Sequence, residues 1–229
     1  PYVVVNIGGQ AGPYDFDARA ATLLGRWASR MANARRGSVL MTTSRRTPAE
    51  SLPALRAAIT APSYIYEWTK ETREGRENPY FGMLALADAL IVTCDSMSML
   101  AEACFTKKPV YIFDLDDTPG SHRPPWPEGV PPPPADASWR DRWRAFRLQP
   151  LVYRLGMLAG PKRLTRDVRI IHHRLVESGR AVWLGQEFTD RGDTPPPPDD
   201  IERAVLRVRA LFGSDDTQNA DRSDAGAAS

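Results

Sequence analysis

Five short runs of almost wholly apolar residues punctuate the first half of the chain: YVVVNIGG (2–9), SVLMTTS (38–44), SYIYEW (63–68), ALIVT (89–93) and PVYIF (109–113). A strand that is apolar on both faces must be covered on both faces, and this is the signature of a parallel sheet with helices packed on each side. The intervening stretches supply those helices. FDARAATLLGRWASRMANA (16–34) carries helical patterning and is closed by Gly37; Pro48 opens a second through AESLPALRAAI, with Pro53 near its first turn. Asn78 and Pro79 suit an N-cap and first helical position before PYFGMLALADA, and a fourth helix is expected from about Ser96 to Phe105. The expected fold is α/β: a doubly wound, mainly parallel Rossmann-like sheet, order 3-2-1-4-5, with helices on both faces.

The texture changes after Phe113. Residues 1–113 read as the core, and 114–163 as a proline- and arginine-rich loop that includes the stretch SWRDRWRAFRLQPLVYRLGML. Residues 164–212 are expected to complete the domain with a helix from about Leu164 to Ser178, a short strand RAVWLG and a C-terminal helix IERAVLRVRALF. Residues 213–229 are small and polar, a composition expected to be disordered. A strand-like run begins directly after Pro1, so a preceding segment of the native product is expected. No apolar stretch approaches the roughly 20 residues of a spanning helix. The two cysteines, Cys94 and Cys104, read as reduced buried thiols of a cytoplasmic protein.

The net charge is only +2, yet residues 137–174 hold ten arginines and lysines against two aspartates. Such a concentration suits an anionic partner. From Trp139 to Arg154, Trp139, Trp143, Phe146 and Leu148 alternate with arginines, a pattern that fits an anionic membrane surface on the inner face of a membrane. The alternative is a helix whose aromatics pack on the protein itself. No reader motif accompanies the charge, so nucleic acid is not expected as a partner.

In an open parallel sheet, ligands bind beyond the carboxyl ends of the strands, where strand order switches. The first and fourth strands flank that switch, and they end at Gly8-Gly9 and Asp95-Ser96. Asp95, Ser98 and Glu102 share one helical face by their spacing, while Met97, Leu100, Ala101 and Cys104 are expected to face the core. A hydroxyl in a helix's first turn serves a phosphate, and a carboxylate one turn later suits paired sugar hydroxyls. The competing reading makes Asp95 or Ser96 a helix cap and Glu102 a solvated acid. The second strand ends in TTSRRTP (42–48), where paired arginines suit a diphosphate; the alternative is that Thr47 caps a helix and both arginines are solvated.

Other features point elsewhere. GGQAGPYDFD (8–17) lacks the spacing of the dinucleotide fingerprint, and there is no P-loop, H-E-x-x-H or G-x-S-x-G. DLDD (114–117) imitates a metal-binding acid pair but reads as loop; His172 and His173 are adjacent and face different ways, and His122 stands among prolines. No metal is expected.

TTSRRTP, NPYFGMLALADALIVTCDSMSMLAEAC, KPVYIF and the early IGG resemble the mitochondrial-fission family first associated with elongated mitochondria in plants, in its bacterial form. That family is similar to the C-terminal, donor-binding half of GT-B glycosyltransferases. The resemblance is strong over residues 2–113 and weaker over 164–188. It implies a nucleoside-diphosphate sugar as donor substrate, with no separate cofactor. By the same resemblance Gly8 and Gly9 approach the nucleotide sugar, Ser44 and Arg45 border its phosphates, Ser96 and Ser98 present the helix start, and Glu102 holds ribose; Thr43 and Asp95, at the ends of the second and fourth strands, are counted with them as binding candidates. It further implies an N-terminal acceptor half outside this chain, and it nominates no catalytic base. The functions in view are a metal-independent glycosyltransferase half and a non-catalytic adaptor recruiting a partner protein at a membrane; an epimerase fits less well, for want of a nicotinamide fingerprint. One departure is plain: Lys107-Lys108 stands where a glycine is usual.

Overall fold

The computed structural model describes residues 1–69, 78–118, 120–129, 168–189 and 200–212. Its centre is one all-parallel sheet of six strands: β1 (Tyr2–Asn6), β2 (Ser38–Thr42), β3 (Ser63–Tyr66), β4 (Ala89–Thr93), β5 (Val110–Phe113) and β6 (Val182–Trp183). They lie in the order β3-β2-β1-β4-β5-β6. The five strands legible in the sequence take the doubly wound order expected, and RAVWLG adds a sixth, pairing Tyr111 with Val182 and Ile112 with Trp183.

Burial explains the strand composition. Val3, Val4 and Val5 are covered on both sides, as are Leu90, Ile91 and Val92 and all of β5. Parallel neighbours fix the register: Val3 faces Val39 on one side and Ala89 on the other.

The helices are α1 (Ala18–Asn33), α2 (Leu52–Ala58, after a 3-10 turn at Ala49–Ser51), α3 (Tyr80–Leu86), α4 (Met97–Phe105), α5 (Arg169–Glu177) and α6 (Asp200–Phe212). Asp17 starts α1 by accepting the Ala20 N–H at 2.7 Å. The buried face of α1 is largely small, with Ala20, Ala21, Leu24 and Ala28 recurring at helical spacing. Gly25 allows α2 to come close, because a Cβ there would lie 2.9 Å from the Ala58 Cβ. At α3 the helix begins one residue later than the sequence suggests, yet Asn78 still accepts the Tyr80 N–H at 3.0 Å.

One predicted orientation is corrected. Ala101, expected to face the core, is exposed, and Ala103 is buried in its place with Leu100. The helix starts at Met97, and its inward stripe runs through Leu100 and Ala103, with Met97, Met99 and Cys104 partly covered. After Phe105 the chain leaves α4 with Lys107 in the left-handed region (φ 59°), the conformation that a glycine adopts without steric cost.

The chain forms two compact units, Pro1–Thr194 and Pro195–Ser229, and α6 belongs to the second. Among the described residues no helix is long and apolar enough to cross a membrane. The stretch Trp139–Arg154, proposed for a membrane surface, and the tail from Gly213 lie outside the described residues. Cys94 and Cys104 are free.

Candidate functional site

Four strand ends meet at the carboxyl edge of the sheet. β1 runs into Gly8 and Gly9, whose local geometry leaves no room for a side chain. A Cβ on Gly8 would come within 2.7 Å of the Asp95 Cγ, and Gly9 has φ +124° with the Arg46 backbone against it. The glycine pair is therefore dictated by the close approach of the β2 and β4 loops.

The β2 loop is held to the β1 loop by hydroxyls. Ser44 Oγ donates to the Gly8 carbonyl, and Thr47 Oγ1 donates to the same carbonyl at 3.0 Å. Thr47 Oγ1 also accepts the Ser44 N–H at 2.9 Å, and Ser44 Oγ accepts the Arg46 N–H at 3.1 Å. These bonds form a compact polar turn in which Thr47 fastens loops rather than capping a helix. Thr43 is buried and accepts the Trp68 N–H at 2.9 Å, which ties the end of β3 to the same edge.

The two arginines part company here. Arg46 turns inward to Asp95 at 2.9 Å, with the Asp95 side chain wholly covered. Arg45 is exposed, and among the described residues it has no ion-pair partner.

At the end of β4, Thr93 Oγ1 accepts the Gly8 N–H at 2.8 Å and donates to Asp95 Oδ1 at 2.6 Å. Burial pushes the Asp95 carboxyl above its ordinary pKa, and the Thr93 bond, the Arg46 charge and the Gly9 N–H oppose that shift. Ser96 precedes α4 as its N-cap, but its side chain makes no capping bond. The backbone N–H groups of the first turn of α4 therefore have no help from that hydroxyl. Ser98 is exposed in this turn. Glu102, one turn further on, accepts a hydrogen bond from the Tyr80 hydroxyl through Oε2.

Gly8, Gly9, Thr43, Ser44, Asp95 and Ser96 are thus brought together around the β1, β2 and β4 ends, with Arg45 and Ser98 exposed beside them and Glu102 along α4. Thr47, Thr93 and Tyr80 join the group as residues the sequence does not single out for the ligand, whereas Arg46, read with Arg45 as a pair for a diphosphate, is instead engaged by the Asp95 carboxylate. Thr93 carries a signal, since a hydroxyl on the last residue of a buried strand has the neighbouring backbone within reach.

A second polar cluster lies on the β5–β6 side. Asp114 Oδ2 accepts the His122 N–H at 2.7 Å, and Asp114 Oδ1 accepts the Asp116 N–H at 2.9 Å. Asp116 is buried and pairs with Arg169 at the start of α5. The His122 ring stacks on Trp183, with centroids 4.4 Å apart and planes 15° apart, and His173 meets His122 edge-on at 5.8 Å. Together with Tyr14 these residues line a small, partly open pocket of about 50 Å³. Among the described residues no group of three or more His, Cys, Asp or Glu side chains is arranged to hold a metal ion.

An all-parallel sheet in this order, with its polar loops gathered at the carboxyl edge, defines a Rossmann-like α/β domain. Residues 1–124 match the family model described as Mitochondrial fission ELM1, and the chain belongs to that family. It is 39% identical over 119 residues to "Mitochondrial fission protein ELM1" of Arabidopsis thaliana, which covers 51% of this chain and 26% of that protein. It is 33% identical over 112 residues to an uncharacterized protein of Rickettsia prowazekii, covering 49% of this chain and 31% of that protein. The matched region thus spans less than a third of either relative's length.

Proposed function

We propose that this chain is the nucleoside-diphosphate-sugar-binding half of a GT-B-like, metal-independent glycosyltransferase of the bacterial type, with the acceptor half lying outside it. The observation that carries the reading is the joining of Gly8, Ser44, Thr47, Thr93 and Asp95 into one hydrogen-bonded edge beside the start of α4. Such an edge is pre-organised, so it needs little rearrangement to meet a ligand.

In sugar transfer from a nucleoside diphosphate, the protein's main electrostatic work is to stabilise negative charge on the departing diphosphate. In this reading, the exposed Arg45 supplies a forked cation, and the first turn of α4 supplies backbone N–H donors and a positive helix end. The role of Arg46 is indirect: it neutralises Asp95 and so keeps a buried carboxylate from repelling the phosphates. Glu102 accepts from ribose hydroxyls. No residue of this chain is assigned as the catalytic base.

A second reading takes its support from the Arabidopsis relative's being a mitochondrial fission protein: in it this chain is a non-catalytic adaptor that recruits a partner protein at a membrane surface. Binding of nucleoside diphosphates and their sugar conjugates, measured by thermal shift and calorimetry, tests the first. Binding that is lost in Glu102→Ala supports it. Absence of any shift with uridine, guanosine, adenosine, cytidine and thymidine diphosphates removes it, and partner recruitment undiminished in Glu102→Ala favours the adaptor.

A further inference from the structure

Tyr80 and Glu102 meet between α3 and α4. In a parallel α/β unit both helices start on the carboxyl-edge side of the sheet, so the first residue of α3 lies on the same side of the sheet as the candidate site. Glu102 is the sixth residue of α4, roughly 7.5 Å along its axis from the start. The position of Tyr80 is fixed from both ends. Asn78 holds its backbone N–H at 3.0 Å, and its half-buried ring packs edge-on to Phe81, with centroids 5.2 Å apart. The phenol donates to Glu102 Oε2, and Glu102 Oε1 has no hydrogen-bond partner among the described residues. Burial, reinforced by the Glu102 acceptor, pushes the Tyr80 phenol well above its ordinary pKa, so it remains a donor throughout the physiological range.

A carboxylate held through one oxygen loses rotational freedom and presents its other oxygen in a fixed direction. We infer that Tyr80 is a positioning residue that aims the free oxygen of Glu102 at the ribose hydroxyls of a nucleoside diphosphate, making this pair the determinant of ribose over deoxyribose. The inference rests on the function proposed above and goes beyond it by assigning sugar discrimination to two residues. The physical reason is that an acceptor organised for a hydroxyl is left unsatisfied by an analogue lacking it.

The test is calorimetric titration of the whole chain with uridine, guanosine and adenosine diphosphates and their 2′-deoxy counterparts. For the unaltered chain the ribonucleotide is expected to bind about tenfold more tightly than its deoxy form. Tyr80→Phe removes one oxygen and is expected to narrow that ratio to about twofold, and Glu102→Ala to abolish it. If Tyr80 acts through Glu102, the double variant binds like Glu102→Ala alone. A folding defect in Tyr80→Phe would weaken both nucleotides equally and leave the ratio intact, which counts against the inference. It is also overturned if the Tyr80→Phe loss persists undiminished in the Glu102→Ala background. Failure of the unaltered chain to bind any nucleoside diphosphate, those of cytidine and thymidine included, would instead remove the proposed function, and this inference with it.

Discussion

Asp95 occupies the space that a side chain on Gly8 would need, and the two residues share Thr93, which takes the Gly8 N–H and donates to the Asp95 carboxylate. The Asp95 carboxylate cannot swing away cheaply, because Thr93 and Arg46 both hold it. Gly8→Ala is therefore expected to destabilise the fold by about 1–3 kcal/mol, read as a lower urea midpoint. In an Asp95→Ala background the same substitution is expected to cost distinctly less.

The adjacent arginines are expected to separate stability from binding. Arg46→Ala leaves the covered Asp95 carboxylate without its cation. Because Arg46 itself is more than a third exposed, the expected cost is discounted to about 1–2 kcal/mol. Arg45→Ala is expected to leave the urea midpoint unchanged and to weaken nucleoside-diphosphate binding roughly tenfold. Equal effects of the two substitutions on either measurement would contradict this division.

Asp95 also sets a pH dependence. Burial raises its folded pKa above the unfolded value, so the native state holds its proton more firmly than the unfolded chain does. The resulting stabilisation is fully present below the ordinary aspartate range and is lost as pH rises through the folded pKa. Urea midpoints measured on either side of that range should therefore show the unaltered chain losing stability with rising pH relative to Asp95→Asn. A parallel pair of curves would show that burial does not govern this carboxyl.

Lys107 takes a left-handed backbone conformation at φ 59° just beyond α4. Lys107→Gly is expected to stabilise the protein by about 1 kcal/mol, seen as a higher midpoint in thermal unfolding. The increment should survive high salt, since its origin is steric rather than electrostatic.

Much of this architecture is legible in the sequence because burial on both faces leaves β1, β4 and β5 almost no polar residues. The sixth strand is harder to place, since it comprises only Val182 and Trp183 and its partner β5 lies far upstream. Helical spacing alone places Ala101 in the core, but small residues on α4 give a weak facial signal, and the packing of Leu100 and Ala103 decides the register.

At the site, the glycine pair and the Asp95-Ser96 junction are visible as polar interruptions after apolar strands. Which of two neighbouring arginines turns inward is not visible, because it depends on the Ser44 and Thr47 turn that folds the loop back onto Gly8. The contacts of Glu102 with Tyr80 and of His122 with Trp183 join residues distant in sequence, and no local periodicity announces them.

β1 is the keystone of the sheet: β2 and β3 lie on one side of it, β4, β5 and β6 on the other, and it pairs directly with both flanks. Local fraying at either rim leaves the rest of the sheet intact, but releasing the central strand parts one flank from the other. Amide protons of Val3, Val4 and Val5 should therefore exchange with solvent only when the whole Rossmann-like unit opens, which makes them direct reporters of its global stability.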